Sequence, residues 1–259
     1  MIKPKALILD MDGVLWRGDL WLIEPAALFD RLEAAGIRVG LATNNATRTP
    51  DYYIEKFSQQ GVTLNRRQIV NSGIAAARYL AERFPASGSI LVVGEWGLAE
   101  TLAGHGFTLN GTDPLAVVCG LDREITYDKI KRASMAVRAG ALFIGTNPDK
   151  TFPTPEGLVP GAGSILAAIT AASDAEPLIT GKPQPAMYQI LLQELETQVS
   201  ETLVVGDRLE TDIAGGRTLG CPSALVLSGV STAAEAAASP HRPDHIFPDL
   251  NAVVEAILS

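Results

Sequence analysis

Apolar runs of strand length recur along this chain, each followed at once by polar residues and separated from the next by a segment of helical length. The clearest are Ala6–Leu9, Ile37–Ala42, Thr202–Val205 and Ala224–Leu227. Strands that are apolar at consecutive positions suit burial on both faces, as in a parallel sheet. Helical patterns fall between them at Pro25–Ala35, Pro50–Gln60, Pro185–Leu195, Glu210–Leu219 and Leu250–Leu258. Strands alternating with helices of this length need right-handed crossovers, so the expectation is an α/β fold around a parallel sheet.

A second set of elements lies between about Ser72 and Thr180. It has strand-like runs at Ile90–Val93, Ala116–Cys119 and Ala141–Ile144, and helical patterns at Ile74–Arg83, Leu98–Gly104, Tyr127–Ala139 and Gly163–Ala172. A Pro/Gly-rich run from Asn147 to Gly163 lies towards its end. These features predict an inserted α/β domain at 73–179, with 1–72 and 180–259 forming a discontinuous core. One larger sheet with a long decorated loop is the alternative. With 259 residues, 47% of them hydrophobic, the chain can bury either arrangement.

The formal charge of −8 argues against nucleic acid or a membrane surface as partner. It leaves room for a small anion, which meets local charge and a bound metal instead. Cys119 and Cys221, the two cysteines, lie far apart and read as reduced, buried thiols. Met1-Ile2-Lys3-Pro4-Lys5 leads straight into the first strand, and no apolar run could span a bilayer, so a cytoplasmic protein without a signal peptide is expected.

In a parallel α/β sheet, residues that follow different strands converge on one crevice. Four such stations stand out. Asp10 and Asp12 follow the first strand, on the same side of an extended chain, with Gly13 to turn it away. Two carboxylates so placed repel unless a cation or a proton intervenes. Thr43-Asn44-Asn45 offers a hydroxyl, amides and backbone N–H groups to an anion; alone it would be a helix-capping cluster. Lys182 is pinned between Gly181 and Pro183 after the strand-like Leu178-Ile179. Asp207 and Asp212 follow the strand ending at Val205, although Asp212 alone could serve only the helix dipole.

Together the four are complete for phosphoryl transfer through an aspartyl-phosphate. An Asp nucleophile needs its own charge and that of the phosphate neutralised, work suited to a hard divalent cation such as Mg²⁺. Asp10 and Asp207 can supply carboxylates and Asp12 its main-chain carbonyl. Lys182 and Thr43 can hold the transferring oxygens. Asp12 is placed to protonate the leaving oxygen and then to take a proton from water.

These motifs resemble those of the haloacid dehalogenase superfamily, in its NagD-like phosphatase branch. Asp10-Met11-Asp12-Gly13-Val14, Leu41-Ala42-Thr43-Asn44-Asn45, Gly181-Lys182-Pro183 and Val205-Gly206-Asp207-Arg208 through Asp212 match its four motifs in order. The inserted segment is similar to the branch's cap, at Val118–Arg123, Thr146–Asp149 and Pro160–Gly163. The resemblance implies a three-layer Rossmann-like core with an α/β cap. It also implies Asp10 as nucleophile, Asp12 as acid and base, and Asp10, Asp12 and Asp207 as Mg²⁺ ligands with Asp212 supporting them. Phosphate would meet Thr43, Asn44, Asn45 and Lys182. The substrate would be a small phosphorylated metabolite, with Asn147 and Asp149 as candidate specificity residues, and a homodimer could form through the cap.

A dehalogenase has no need of a second acid, so Asp12 speaks against that activity. A phosphomutase or other phosphotransferase shares the hardware and stays open, as does a non-catalytic phosphate-binding protein. Gly161-Ala162-Gly163 and Gly181-Lys182 fail as nucleotide-binding fingerprints, the first for want of a preceding strand and a third glycine, the second because residue 183 is Pro.

Overall fold

The computed structural model describes residues 3–154 and 157–259. Pro155 and Glu156 of the Pro/Gly-rich run, and Met1 and Ile2 of the expected leaderless start, lie outside them. The chain divides into two compact units, one of residues 1–43, 50–70 and 182–259, the other of residues 44–49 and 71–181.

The first unit is built on a six-stranded sheet. Its order is His245–Phe247, Ser223–Val226, Thr202–Gly206, Ala6–Leu9, Arg38–Thr43 and Ile69–Asn71. Ala6–Leu9 sits inside it, parallel to both neighbours, and all four of its residues are buried. Side chains alternate faces along a strand, and this sheet uses both. Leu7, Leu9, Val39, Leu41, Leu203 and Val205 share one cluster with Leu28 and Leu32 of helix Pro25–Ala34 and with Val253, Val254 and Ile257 of helix Leu250–Leu258. On the opposite face Gly40 leaves space filled by Leu191 and Leu195, and Gly216 lies against Val204. Helices on both sides of a parallel sheet make the three layers expected.

Local signals explain the helix limits. Pro25 opens its helix at a position where no N–H is needed, and Gly36 leaves it at φ +72°. Asp249 caps the last helix by accepting from the Ala252 N–H. The run read as one helix from Glu210 differs: Leu209–Ile213 is a π-helical turn, and the α-helix starts only at Ala214. Strands Ile69–Asn71 and His245–Phe247 escaped the sequence reading because three residues at a sheet edge carry too little pattern.

The second unit has its own parallel sheet, in the order Leu178–Ile179, Leu142–Gly145, Ala116–Cys119, Ser89–Val93 and Thr108–Leu109. Here too alternate residues part between faces. Ile90, Ala116, Val118 and Ile144 pack with Ala76, Leu80, Leu98 and Leu102. Leu91, Val117, Cys119 and Phe143 pack with Val137, Ile165, Leu166 and Ile169. Cys119 and Cys221 are both buried, unpaired thiols. Thr151–Thr154 and Gly157–Pro160 pair as an antiparallel ribbon within the Pro/Gly-rich run.

The unit limits differ from 73 and 179, since Asn44–Thr49 joins the second unit. Hydrogen bonds explain this. The Asn44 carbonyl accepts from Ser72 Oγ at 2.8 Å and from Asn147 Nδ2 at 2.9 Å, while Asn71 Nδ2 donates to the Arg48 carbonyl at 2.9 Å. Among the described residues, no helix is long and apolar enough to cross a membrane.

Leu32, fully buried between helix and sheet, tests the first core directly. Leu32→Ala is expected to lower stability by about 2–5 kcal/mol, read from the urea midpoint with an unchanged slope.

Candidate active site

Three adjacent strands of the first unit end in step. Leu9 lies beside Val205 on one side and Leu41 on the other. Their next residues therefore emerge at one sheet edge, where the connections leave the central strand in opposite directions. Asp10 follows Leu9, Thr43 closes the second strand and Asp207 follows Gly206; all three are buried. The Asp10 N–H still donates to the Val205 carbonyl at 2.9 Å, so its backbone is held by the sheet.

Lys182 joins these strand ends. Its side chain is only 3% exposed. Its ammonium donates to Asp10 Oδ1, to the Ala42 carbonyl at 3.0 Å and to Asp212 Oδ1 at 2.7 Å. Burial alone would lower the lysine pKa, but Asp10 and Asp212 outweigh it and hold Lys182 well above the usual range. Asp212 is placed by the π-helical turn, where its Oδ2 also accepts from the Arg208 N–H at 3.1 Å.

Carboxylate oxygens of Asp10, Asp207 and Asp212 come within 4.8 Å of one another. Burial pushes Asp10 well up, with Asp212 and Asp207 adding to it against the pull of Lys182. Burial, then Asp212, raises Asp207 to about 7. With all three ionised, one lysine against three carboxylates leaves two negative charges, which a divalent cation would balance. Asp207 Oδ2 accepts from the Val230 N–H at 2.8 Å, whereas the buried Oδ1 has no hydrogen-bond partner among the described residues. An unsatisfied buried carboxylate oxygen beside two further carboxylates is a donor set suited to a hard cation.

The loop after strand Ser223–Val226 was missed by the sequence reading. A Cβ at either Gly13 or Gly229 would overlap the Asp207 carboxylate, so that carboxylate occupies a slot between two glycines. The Ser231 N–H donates to the Asp207 carbonyl at 3.0 Å, and Ser228 Oγ to the Gly13 carbonyl at 2.7 Å. The rule that located the other stations, polar or Gly residues directly after a buried strand, would have found Ser228-Gly229-Val230-Ser231 as well.

Asp12 does not join the carboxylate cluster. The strand ends at Leu9 and Gly13 turns at φ +81°, so the alternation that put Asp10 and Asp12 on one side no longer applies. The Asp12 side chain is exposed, and its Oδ1 accepts from Trp16 Nε1 at 2.9 Å. Asn45 Oδ1 accepts from the N–H and hydroxyl of Thr47, the capping role its sequence context also allowed. Asn147 is buried, its Nδ2 donating to the Asn44 carbonyl and its Oδ1 accepting from the Asp149 N–H. Both amide groups thus organise the second unit, and Asp149 beside them is half-buried.

Comparison with known proteins gives a consistent result. Residues 7–108 match the haloacid dehalogenase-like hydrolase family, and residues 179–253 a second HAD-hydrolase-like family. A 5'-nucleotidase of Bacillus subtilis is 32% identical over 95% of this chain and 96% of its own length. The structure of a p-nitrophenyl phosphatase from Archaeoglobus fulgidus superposes with a TM-score of 0.91, at 30% identity over 98% of this chain and 99% of that one. A glycerol phosphate phosphatase from Mycobacterium tuberculosis, solved with magnesium, gives a TM-score of 0.89 at 34% identity, over 97% of this chain and 76% of that one.

Two outcomes test the electrostatics of the cluster. The raised Asp207 pKa means that the contribution of this group to metal-free stability is fully present below about pH 4 and is lost as pH rises through about 7. Asp207→Asn is therefore expected to stabilise the EDTA-treated protein by about 1–3 kcal/mol at pH 8 and by less at pH 5, measured by thermal unfolding. Gly229→Ala, which crowds the Asp207 carboxylate, is expected to raise the Mg²⁺ concentration for half-maximal thermal stabilisation by about 10-fold or more, about 1.4 kcal/mol of binding.

Proposed function

The chain belongs to the haloacid dehalogenase-like hydrolases, and on that premise we propose that it is a Mg²⁺-dependent phosphatase of small phosphomonoesters working through an aspartyl-phosphate on Asp10. The observation that carries this reading is Lys182. A buried ammonium holds Asp10 at the end of the central strand while Asp207, beside it, keeps one oxygen without a partner.

The chemistry follows from the groups present. Asp10 attacks phosphorus and the bond to the leaving oxygen breaks, with Asp12 giving that oxygen its proton. Water then attacks the phosphoenzyme, Asp12 takes a proton from it, and Asp10 is released as carboxylate. Lys182 lowers the cost of charge on Asp10 and on the transferring phosphoryl group, and Thr43 offers a further donor. Asp10, Asp207 and the main-chain carbonyl of Asp12, supported by Asp212, would hold Mg²⁺, which would supply positive charge to offset the negative charge of the phosphate.

The substrates named for the relatives, a nucleotide, a nitrophenyl ester and glycerol phosphate, have in common the phosphate ester itself. A small phosphorylated metabolite is accordingly the substrate class proposed here.

Phosphate release from p-nitrophenyl phosphate tests the reading. The wild-type protein is expected to turn over with Mg²⁺ and to stop with EDTA, and Asp10→Asn to lose about 10³-fold or more in kcat with its fold intact. An Asp10→Asn protein as active as wild type would exclude Asp10 as nucleophile.

A further inference from the structure

Trp16 lies outside every motif considered so far, yet its indole N–H reaches Asp12 Oδ1 at 2.9 Å. The residue is 3% exposed and anchored from several sides. Trp21 meets it edge-on with ring centroids 4.9 Å apart, Tyr53 stacks at 6.2 Å and Phe57 lies at 5.8 Å. The Lys56 ammonium sits 3.9 Å from its ring centroid. Its backbone is fixed as well, since the Trp16 carbonyl accepts from the Gly13 N–H at 2.7 Å and its N–H donates to the Met11 carbonyl at 3.3 Å. The loop from Met11 to Trp16 is thus closed on itself, and Asp12 is the exposed side chain within it.

We propose that Trp16 is a positioning residue for catalysis, its indole N–H holding the exposed Asp12 carboxylate by one oxygen so that the other meets the leaving group. The proposal rests on the reading of Asp12 as general acid. An exposed aspartate otherwise samples several rotamers, and proton transfer needs one of them at hydrogen-bonding distance from the leaving oxygen. An indole has one donor and no acceptor, so it can fix an acceptor oxygen without competing for the proton. Buried tryptophans usually find some acceptor. This one has found the acid of the proposed reaction, and a purely structural bond predicts a different result from a positioning bond.

The difference shows in the leaving group. In the first step the Asp10 oxygen bonds to phosphorus, the ester P–O bond breaks with its electron pair on the leaving oxygen, and the Asp12 proton goes to that oxygen. Nitrophenolate departs readily as an anion, whereas the alkoxide of glycerol needs the proton. The kcat/KM of each substrate reports this first step, and loss of folded enzyme scales both alike. Their ratio therefore responds to acid catalysis and ignores stability.

The experiment compares kcat/KM for glycerol phosphate and p-nitrophenyl phosphate, with Mg²⁺, in the wild-type protein, Trp16→Phe, Trp21→Phe and Asp12→Asn. A further variant places benzothienylalanine at position 16, keeping the two-ring shape with sulfur in place of N–H should the smaller phenylalanine fail to fold. Both changes at Trp16 are expected to lower the glycerol-to-nitrophenyl ratio by about 10-fold, part of the roughly 10²–10⁴-fold that general acid catalysis supplies, since Asp12 itself remains. Trp21→Phe, which disturbs the same aromatic cluster, is expected to change the ratio by less than about 2-fold, below the smallest effect general acid catalysis usually supplies. An unchanged ratio in the Trp16 variants, with a lowered one in Asp12→Asn, would overturn the positioning role alone. An unchanged ratio in Asp12→Asn would overturn the assignment of Asp12, and this proposal with it.

Discussion

A lysine buried among carboxylates holds this site together. Removing an ammonium from water costs several kcal/mol, and only close partners offset it. Lys182 has them in Asp10, Asp212 and the Ala42 carbonyl, which come from three separate stretches of the first unit. The same contacts fix Asp10 at the end of its strand and Asp212 in its π-helical turn. Taking away the lysine would leave three buried carboxyl groups facing one another without a cation among them, so the arrangement of the candidate site depends on one side chain.

Lys182 leaves part of the charge of the cluster uncompensated. Asp207 is pressed into a space without side chains, between Gly13 and Gly229, and receives one N–H on one oxygen only. A protein whose sole requirement was stability would have satisfied or removed that second oxygen. Unsatisfied buried oxygens of this kind call for a partner, and the metal ion proposed for this site would supply it. Asp12, by contrast, stays exposed and outside this cluster, its Oδ1 accepting from the Trp16 indole.

The chain passes from one unit to the other between Thr43 and Asn44. Thr43 belongs to a strand of the first sheet, while the Asn44 carbonyl is bonded by Ser72 and Asn147 of the second unit. One sequence motif therefore serves two compact bodies, and its three polar residues have different structural employment. Asn147, a candidate for specificity on sequence grounds, is held in the same network.

The sequence by itself determined the α/β class, both sheets in their main strands and the four stations at strand ends, because consecutive apolar residues and helical spacing are local signals. Edge strands such as Ile69–Asn71 were too short to carry them. What only the tertiary structure decided was which carboxylates meet. Asp10 and Asp12 are neighbours in sequence, but a turn separates them, and Asp212 comes from some two hundred residues away to take the place beside Asp10. The glycine slot around Asp207 and the indole bond to Asp12 were beyond the sequence for the same reason. Each depends on a distance between side chains that is set by sheet register and loop closure, and neither quantity is written in any local pattern.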